Sequence, residues 1–246
     1  MMSFISFKKS FIGSGLLHNM TDIHSHILWG VDDGVKTYTE AVTSLRWLKG
    51  NGISRTYLTP HIMSDFSKNT SEYLSEAFSI FVKRLEDDGI GDIPELRLGA
   101  EYMLELAFEK HKKEGLLTYA NNNVLVETSY MTPPMGFVSI LEKLMEDGYS
   151  PVLAHPERYI YMDMKDYEYF IAEGIKFQLN LLSMTGAYGK HAKEKATKLL
   201  NEGHYKYVGS DFHRLSRHES DYMAKSLTKK QVATLSGLFE NNYELW

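Results

Sequence analysis

Short apolar runs rich in Val, Ile, Leu and Tyr alternate along this chain with longer stretches whose apolar residues recur at helical spacing. Seven runs read as strands: Thr21–Ile27, Ser54–Thr59, Glu95–Glu101, Asn123–Thr128, Pro151–His155, Lys176–Asn180 and Tyr205–Ser210. Helices are predicted near Tyr38–Gly50, Ser71–Asp88, Leu104–Glu114, Gly136–Asp147, Lys165–Glu173, Lys190–Asn201 and Lys229–Asn241. Two of them carry their own boundary chemistry. Thr37 with Glu40 forms a capping box ahead of the first helix, which Asn51-Gly52 closes, and Thr228 with Gln231 forms one ahead of the last. Strands recur roughly every 25–40 residues, the spacing of βα units with parallel pairing. Seven such units predict an α/β fold, closed into a distorted (β/α)7 barrel.

No linker-like low-complexity stretch interrupts the pattern, so residues 21–246 read as a single domain behind an N-terminal extension, residues 1–20. The extension mixes Phe and Ile with Lys8, Lys9 and a Gly-Ser-Gly turn. It lacks the apolar core and cleavage site of a signal peptide and reads as flexible or loosely docked. No other stretch approaches the length of a membrane span, so the expectation is a cytoplasmic protein with no integral membrane segment.

Composition narrows the chemistry. Hydrophobic residues make up 43% and charged residues 24% of the 246, as in an ordinary globular enzyme. A net charge of −5 argues against broad nucleic-acid binding. The chain has no cysteine, which removes disulfides, thiolate metal sites and cysteine nucleophiles together.

What remains is a series of imidazoles and carboxylates at the ends of the apolar runs. They are His24 and His26 in Asp-Ile-His-Ser-His, Asp33 in Val-Asp-Asp-Gly, His61, Glu101, Glu127, His155 in His-Pro-Glu-Arg, and Asp211 with His213 in Ser-Asp-Phe-His. Parallel barrels collect chemistry at the C-terminal rim of their strands. His24 and His26 are two apart on the first predicted strand, which points both rings to one face. An acid closing the apolar run Val124-Leu125-Val126 needs a partner or a cation. Together the nine residues predict one polynuclear metal centre. The sixth strand offers only Asn180, as a hydrogen-bonding residue. His18, His111, His191, His204 and His218 fall on helices or loops and read as solvated. Trp29 and Tyr159-Ile160-Tyr161 have packing as their ordinary role, with stacking on a substrate as the alternative.

Five imidazoles and four carboxylates without a thiolate suit Mn²⁺, Fe²⁺ or Zn²⁺, with Mg²⁺ also possible. Nine ligands exceed what one ion takes. Charge counting favours three ions over two, since two would leave the cluster net negative and unattractive to a phosphate dianion. Phosphate monoester hydrolysis gains most from clamping oxygens with cations, and Arg158 adds one more positive charge. His26 or His213 would protonate the leaving group where that is needed.

These motifs resemble those of the PHP (polymerase and histidinol phosphatase) superfamily. More closely, they resemble the bacterial manganese-dependent protein-tyrosine phosphatases of capsule and exopolysaccharide operons, the CpsB/YwqE type. Asp22-Ile23-His24-Ser25-His26-Ile27, Gly30-Val31-Asp32-Asp33-Gly34, Thr59-Pro60-His61, Gly99-Ala100-Glu101-Tyr102, His155-Pro156-Glu157-Arg158-Tyr159 and Ser210-Asp211-Phe212-His213 carry the likeness, over about Met20 to Leu238. The resemblance implies a barrel of the PHP type with a three-metal centre, Mn²⁺ being the expected ion. His24, His26, Glu101 and Asp211 would serve one ion, and Glu101 would bridge to a second held by Glu127 and His155. Asp33, His61 and His213 would face the third. Arg158 and Arg217 would bind phosphate. The implied substrate is the phosphorylated C-terminal tail of a cognate bacterial tyrosine kinase that governs polysaccharide synthesis. Hydrolysis of a small-molecule phosphate such as histidinol phosphate, and a non-catalytic metal-stabilised module, are the alternatives.

Overall fold

The computed structural model describes residues 8–246. Nine strands appear in place of seven: β1 Met20–Asp22, β2 Ile53–Leu58, β3 His61–Ile62, β4 Glu95–Leu98, β5 Glu101–Met103, β6 Asn123–Glu127, β7 Ser150–Ala154, β8 Lys176–Asn180 and β9 Tyr207–Gly209. All their pairings are parallel. They form a three-stranded sheet β1-β2-β4 and a six-stranded sheet β3-β5-β6-β7-β8-β9.

The two extra strands follow breaks at Thr59-Pro60 and Gly99-Ala100: β3 lies just past the predicted strand Ser54–Thr59, and the predicted strand Glu95–Glu101 divides between β4 and β5, in different sheets. Pro60 has no N–H to continue a ladder. At Gly99 a Cβ would lie 3.2 Å from Thr59 Cγ2 and 3.3 Å from the Tyr119 ring, so a larger residue would press these side chains outward by a few tenths of an ångström. The chain stays bonded across both breaks, with Gly99 N donating to Leu58 O and Glu101 N to Pro60 O.

The first strand is also shorter than predicted, and His24 and His26 lie beyond it. Their segment is held by individual bonds rather than by a ladder. His26 N donates to Phe212 O at 2.8 Å, Asp211 N to His24 O at 2.8 Å and Thr59 N to Ser25 O at 2.7 Å. Between β1 and β9 the pairing reduces to the single bridge Ser25–Phe212.

The helices Tyr38–Gly50 and Lys229–Asn241 begin and end as their caps predict, with both capping boxes formed. Among the described residues three short α-helices were not predicted, Phe11–Ser14, Leu181–Thr185 and Leu215–Met223. Asn180 caps Leu181–Thr185 through its side chain, while Leu215–Met223 has no side-chain cap and a polar, charged sequence.

Three expectations are corrected by packing. The first seven residues of the extension lie outside the described residues, but the rest is firmly docked. Phe11, Leu16 and Leu17 are buried, the Phe11 ring sits 5.3 Å from that of Tyr222, and Lys9 pairs with Leu227. His218 is buried rather than solvated, stacked on Phe212 at 4.3 Å with its ring nitrogens 3.1 Å from the carbonyls of Ser210 and Arg214. His111 and His204 are half-buried. Trp29 is half-buried and meets Tyr38 edge-on, a packing role. Among the described residues no helix is long and apolar enough to cross a membrane.

Candidate metal centre

The first residues of β3 and β5, the end of β6, the segments just past β7 and β9 and the segment after β1 bring the nine predicted ligands into one cluster. His24 Nε2 and His26 Nε2 lie 3.1 Å apart, so the two rings converge although they follow the strand rather than belong to it. Glu101 Oε2 is the focal atom. It lies 3.2 Å from His24 Nε2, 3.4 Å from His26 Nε2 and 3.1 Å from His61 Nδ1, while Glu101 Oε1 meets His155 Nε2 at 2.9 Å. His61 Nδ1 is 3.0 Å from Glu127 Oε1, and Asp33 Oδ1 is 3.5 Å from His61 Nε2 and 3.4 Å from His213 Nε2.

Four overlapping groups could each hold an ion: His26, Asp33, His61 and His213; His24, His26 and Asp211; His24, Glu101 and His155; His61, Glu101 and Glu127. These groups draw on the nine residues named from the sequence, with a partition unlike the one the resemblance implied. His61 approaches Glu101 and Glu127 more closely than Asp33, and His26 belongs to two groups.

Neighbours hold the imidazoles in the tautomer a metal needs. His26 Nδ1 donates to Asp32 Oδ2 at 2.8 Å and His24 Nδ1 to Gln178 Oε1 at 3.0 Å, which leaves each Nε2 lone pair facing the centre. His213 Nδ1 lies 2.9 Å from the Asp211 carbonyl and directs Nε2 toward Asp33. Asp32 also accepts from the backbone of Gly34 and His61. Gly34 is required there, because a Cβ would collide with the His26 carbonyl.

His155 and Asp211 both adopt left-handed backbone, with φ of 35° and 53°. For non-glycine residues this is strained by on the order of 1–3 kcal/mol each, and such strain concentrates at functional sites.

The electrostatics reflect dense pairing. Burial disfavours charge on Glu101 and Asp211, yet the surrounding imidazoles hold both carboxyls well below the usual carboxylate range. Burial likewise opposes protonation of His213, as does His26, but Asp211 and Asp33 win and push it up to about 9. His24, His26 and His61 are also raised against the burial cost, by Glu101 and Asp211, by Asp32, and by Glu101 and Glu127 respectively.

Divalent ions fit this donor set. Glu101 Oε2 and His61 Nδ1 are buried without a hydrogen-bond partner, although imidazole and carboxylate atoms converge on them. Orphaned buried polar atoms are rare in folded proteins, and convergent nitrogen and oxygen lone pairs without a thiolate suit ions of the Mn²⁺, Fe²⁺ and Zn²⁺ kind.

Arg158 borders the cluster. Its guanidinium donates to Asp211 Oδ2 at 3.1 Å and lies 4.2 Å from the centre of the Tyr130 ring and 4.0 Å from that of Tyr188. Arg217 is exposed and stands 4.6 Å over the same Tyr188 ring, donating to Ala187 O. Tyr188 therefore collects both arginines, and its hydroxyl donates to Asp211 Oδ2 at 3.1 Å. Asn180, the residue predicted for the sixth strand, donates to the same oxygen at 2.6 Å. Asp32, Gln178, Tyr130 and Tyr188 were not predicted. The Asp-Asp-Gly motif pointed at Asp32, but only three dimensions separate the carboxylate that orients His26 from its exposed neighbour Asp33.

Sequence and structure comparisons add relatives to this geometry. A family model described as "Capsular polysaccharide synthesis, CpsB/CapC" matches residues 20–240. Tyrosine-protein phosphatase YwqE of Bacillus subtilis is 29% identical over 202 residues, 80% of this chain and 78% of its own. Tyrosine-protein phosphatase CpsB of Streptococcus pneumoniae is 29% identical over 231 residues, 88% of this chain and 94% of its own. A crystal structure from work on those two proteins, described as unique metal-dependent tyrosine phosphatases, aligns with a TM-score of 0.75 at 25% identity. It covers 92% of this chain and 91% of that one.

Proposed function

The chain belongs to the CpsB/CapC family of capsular polysaccharide synthesis, and from that membership and the cluster we propose that it is a metal-dependent protein-tyrosine phosphatase. The observation that carries the reading is Arg158, a permanent cation pinned to Asp211 at the edge of nine convergent metal-binding side chains. The two sheets are read as parts of a distorted barrel of the PHP type, with residues 21–246 as one catalytic domain working in the cytoplasm. The substrate is phosphotyrosine on the C-terminal tail of a cognate bacterial tyrosine kinase, and its removal regulates polysaccharide synthesis.

Two or three ions, Mn²⁺ foremost, would be held by His24, His26, Asp33, His61, Glu101, Glu127, His155, Asp211 and His213. Bound divalent ions activate water at neutral pH and neutralise phosphoryl oxygens. The chain's own contribution is to orient and shield. Asp32 and Gln178 fix the tautomers of His26 and His24. Arg158 offers a planar fork to two phosphoryl oxygens, and its position between Tyr130 and Tyr188 reduces the conformational freedom lost on binding. Arg217, collected by the same Tyr188, supplies a second cation. A phenolate leaving group has a pKa near 10 and needs little protonation. We assign any proton delivery to His213, which is partly open to solvent, rather than to fully buried His26, and only in a state in which its Nε2 carries a proton instead of an ion.

A panel of phosphotyrosine peptide, histidinol phosphate and a single-stranded oligonucleotide, each with Mn²⁺ and with EDTA, tests the assignment. Mn²⁺-dependent hydrolysis of the peptide is the expected result. Faster turnover of histidinol phosphate would move the protein to small-molecule chemistry. No hydrolysis of any substrate by metal-loaded protein would leave a metal-stabilised module.

A further inference from the structure

Beside the metal centre runs an open groove of about 650 Å³ with an apolar lining. Met63, Met103 and Ser129 line it, and each lies two residues beyond a candidate ligand: His61, Glu101 and Glu127. Because β3, β5 and β6 are neighbours in one sheet, the strand ends that aim ligands inward also form the groove's floor. The outer walls come from the loops after β5 and β6. Leu106 is 94% exposed and Met135 88% exposed, large apolar side chains that serve no packing purpose where they stand. Contiguous exposed apolar surface of this kind marks interaction sites, and unbranched Met adapts to varied partners. Asp65, Glu105 and Glu109 line the groove with Lys143, and Lys112 stands 3.3 Å from Glu109, so three carboxylates outnumber two ammonium groups.

We propose that this groove binds the polypeptide flanking the phosphorylated tyrosine, and that it selects aliphatic or aromatic neighbours over acidic ones. The proposal rests on the phosphatase reading and deepens it. The metal centre and Arg158 can recognise only the phosphoryl group, which every phosphomonoester shares. The groove supplies what distinguishes a protein substrate: a largely apolar lining that begins two positions past three candidate ligands, and an excess of negative charge that repels Asp and Glu.

Three substrates test this with Mn²⁺-loaded protein: a phosphotyrosine dodecapeptide with Leu and Met on both sides, the same peptide with Glu at those positions, and 4-nitrophenyl phosphate. The wild type should favour the apolar peptide over the acidic one by about tenfold in kcat/KM, mainly through KM. Leu106→Asp and Met135→Asp replace exposed side chains and should leave folding intact. Each should lose about tenfold on the apolar peptide, equivalent to about 1.4 kcal/mol, and stay within about twofold on 4-nitrophenyl phosphate. Equal losses on both substrates would mean a structural effect, and no loss on either would mean that the groove touches nothing; both overturn the proposal. A wild type that hydrolyses 4-nitrophenyl phosphate but shows no flank preference refutes docking alone. One that hydrolyses none of the three refutes the phosphatase reading, and the docking proposal falls with it.

Discussion

Arg158 and Asp211 divide the labour of one carboxylate. Asp211 Oδ2 takes the Arg158 guanidinium at 3.1 Å together with Asn180 and Tyr188, while Oδ1 is the oxygen that approaches His24, His26 and His213, at 3.5, 3.5 and 3.3 Å. One oxygen is thus committed to the scaffold and the other to the centre. Burial would neutralise an isolated carboxyl here, and pairing keeps it ionised.

This arrangement separates an arginine that binds phosphate from a residue that binds metal. Arg158→Ala should leave metal content near wild type, since Asn180 and Tyr188 still hold Asp211. It should lower kcat/KM on a phosphotyrosine peptide by on the order of 10²-fold. Arg158→Lys should recover little, because an ammonium cannot reproduce the fork or the stacking between Tyr130 and Tyr188. His155→Ala should lose metal and activity together. Metal analysis beside steady-state kinetics distinguishes the cases, and near-normal kcat/KM in Arg158→Ala would make that residue purely structural.

Metal binding should release protons. His213 is pushed up to about 9, so in the metal-free cluster it holds a proton at pH 7, and His24, His26 and His61 are raised in the same direction. Metal ligation requires neutral imidazole, so affinity should fall as pH is lowered. Titration of Mn²⁺ into EDTA-stripped protein in two buffers of different ionisation enthalpy reads the proton count. Tm should rise with Mn²⁺, since a single site at a hundredfold excess over Kd adds about 2.7 kcal/mol. Activity should disappear in EDTA, return with Mn²⁺ and ignore thiol alkylation, as the chain has no cysteine. Zero proton release with an unchanged Tm would mean that the cluster does not take the ion.

The parts of this molecule legible in its sequence are those whose causes are local. Thr37 with Glu40 and Thr228 with Gln231 set helix starts because capping is settled within four residues. The nine clustered side chains were legible because most of them close or follow an apolar run, whatever the strand's detailed course. What escaped depends on distant partners. Gln178 orients His24 from 154 residues away, and Tyr188 matters only because Asp211, Arg158 and Arg217 meet around it. Pro60 carried a readable signal for a strand break. The break at Gly99 lies beside Tyr119, a proximity that no local pattern encodes.

The docked part of the extension should matter to stability although it lies outside the family match. Phe11 is fully buried against Tyr222. Phe11→Ala should cost about 3–5 kcal/mol through lost burial and the cavity left behind. Denaturant unfolding should show a lower midpoint with an unchanged slope. A loss under about 1 kcal/mol would mean that the segment detaches without consequence for the remaining core.

The last prediction uses His218, a histidine that serves no metal. Burial outweighs the two nearby carbonyls and lowers its pKa to about 4, against 6.5 for an unperturbed ring. Between those values the unfolded chain binds a proton that the folded one refuses, so stability rises with pH across this window and is lost as pH falls through it. The difference of about 2.5 units corresponds to on the order of 3 kcal/mol once both states are compared at pH 4 and pH 7. Asp22 acts in the opposite sense: burial raises its pKa to about 6, so acidification from neutral pH relieves a cost there. Subtraction isolates the histidine. His218→Gln removes the titration and leaves Asp22 and the metal cluster in place. Unfolding free energies of wild type and variant, both metal-stripped, should be measured from pH 7 to pH 4. The gap between them should shift in the variant's favour as pH drops, with the change concentrated between about 6.5 and 4. A gap independent of pH would mean that His218 accepts a proton in the folded state, with its two carbonyl partners prevailing over burial.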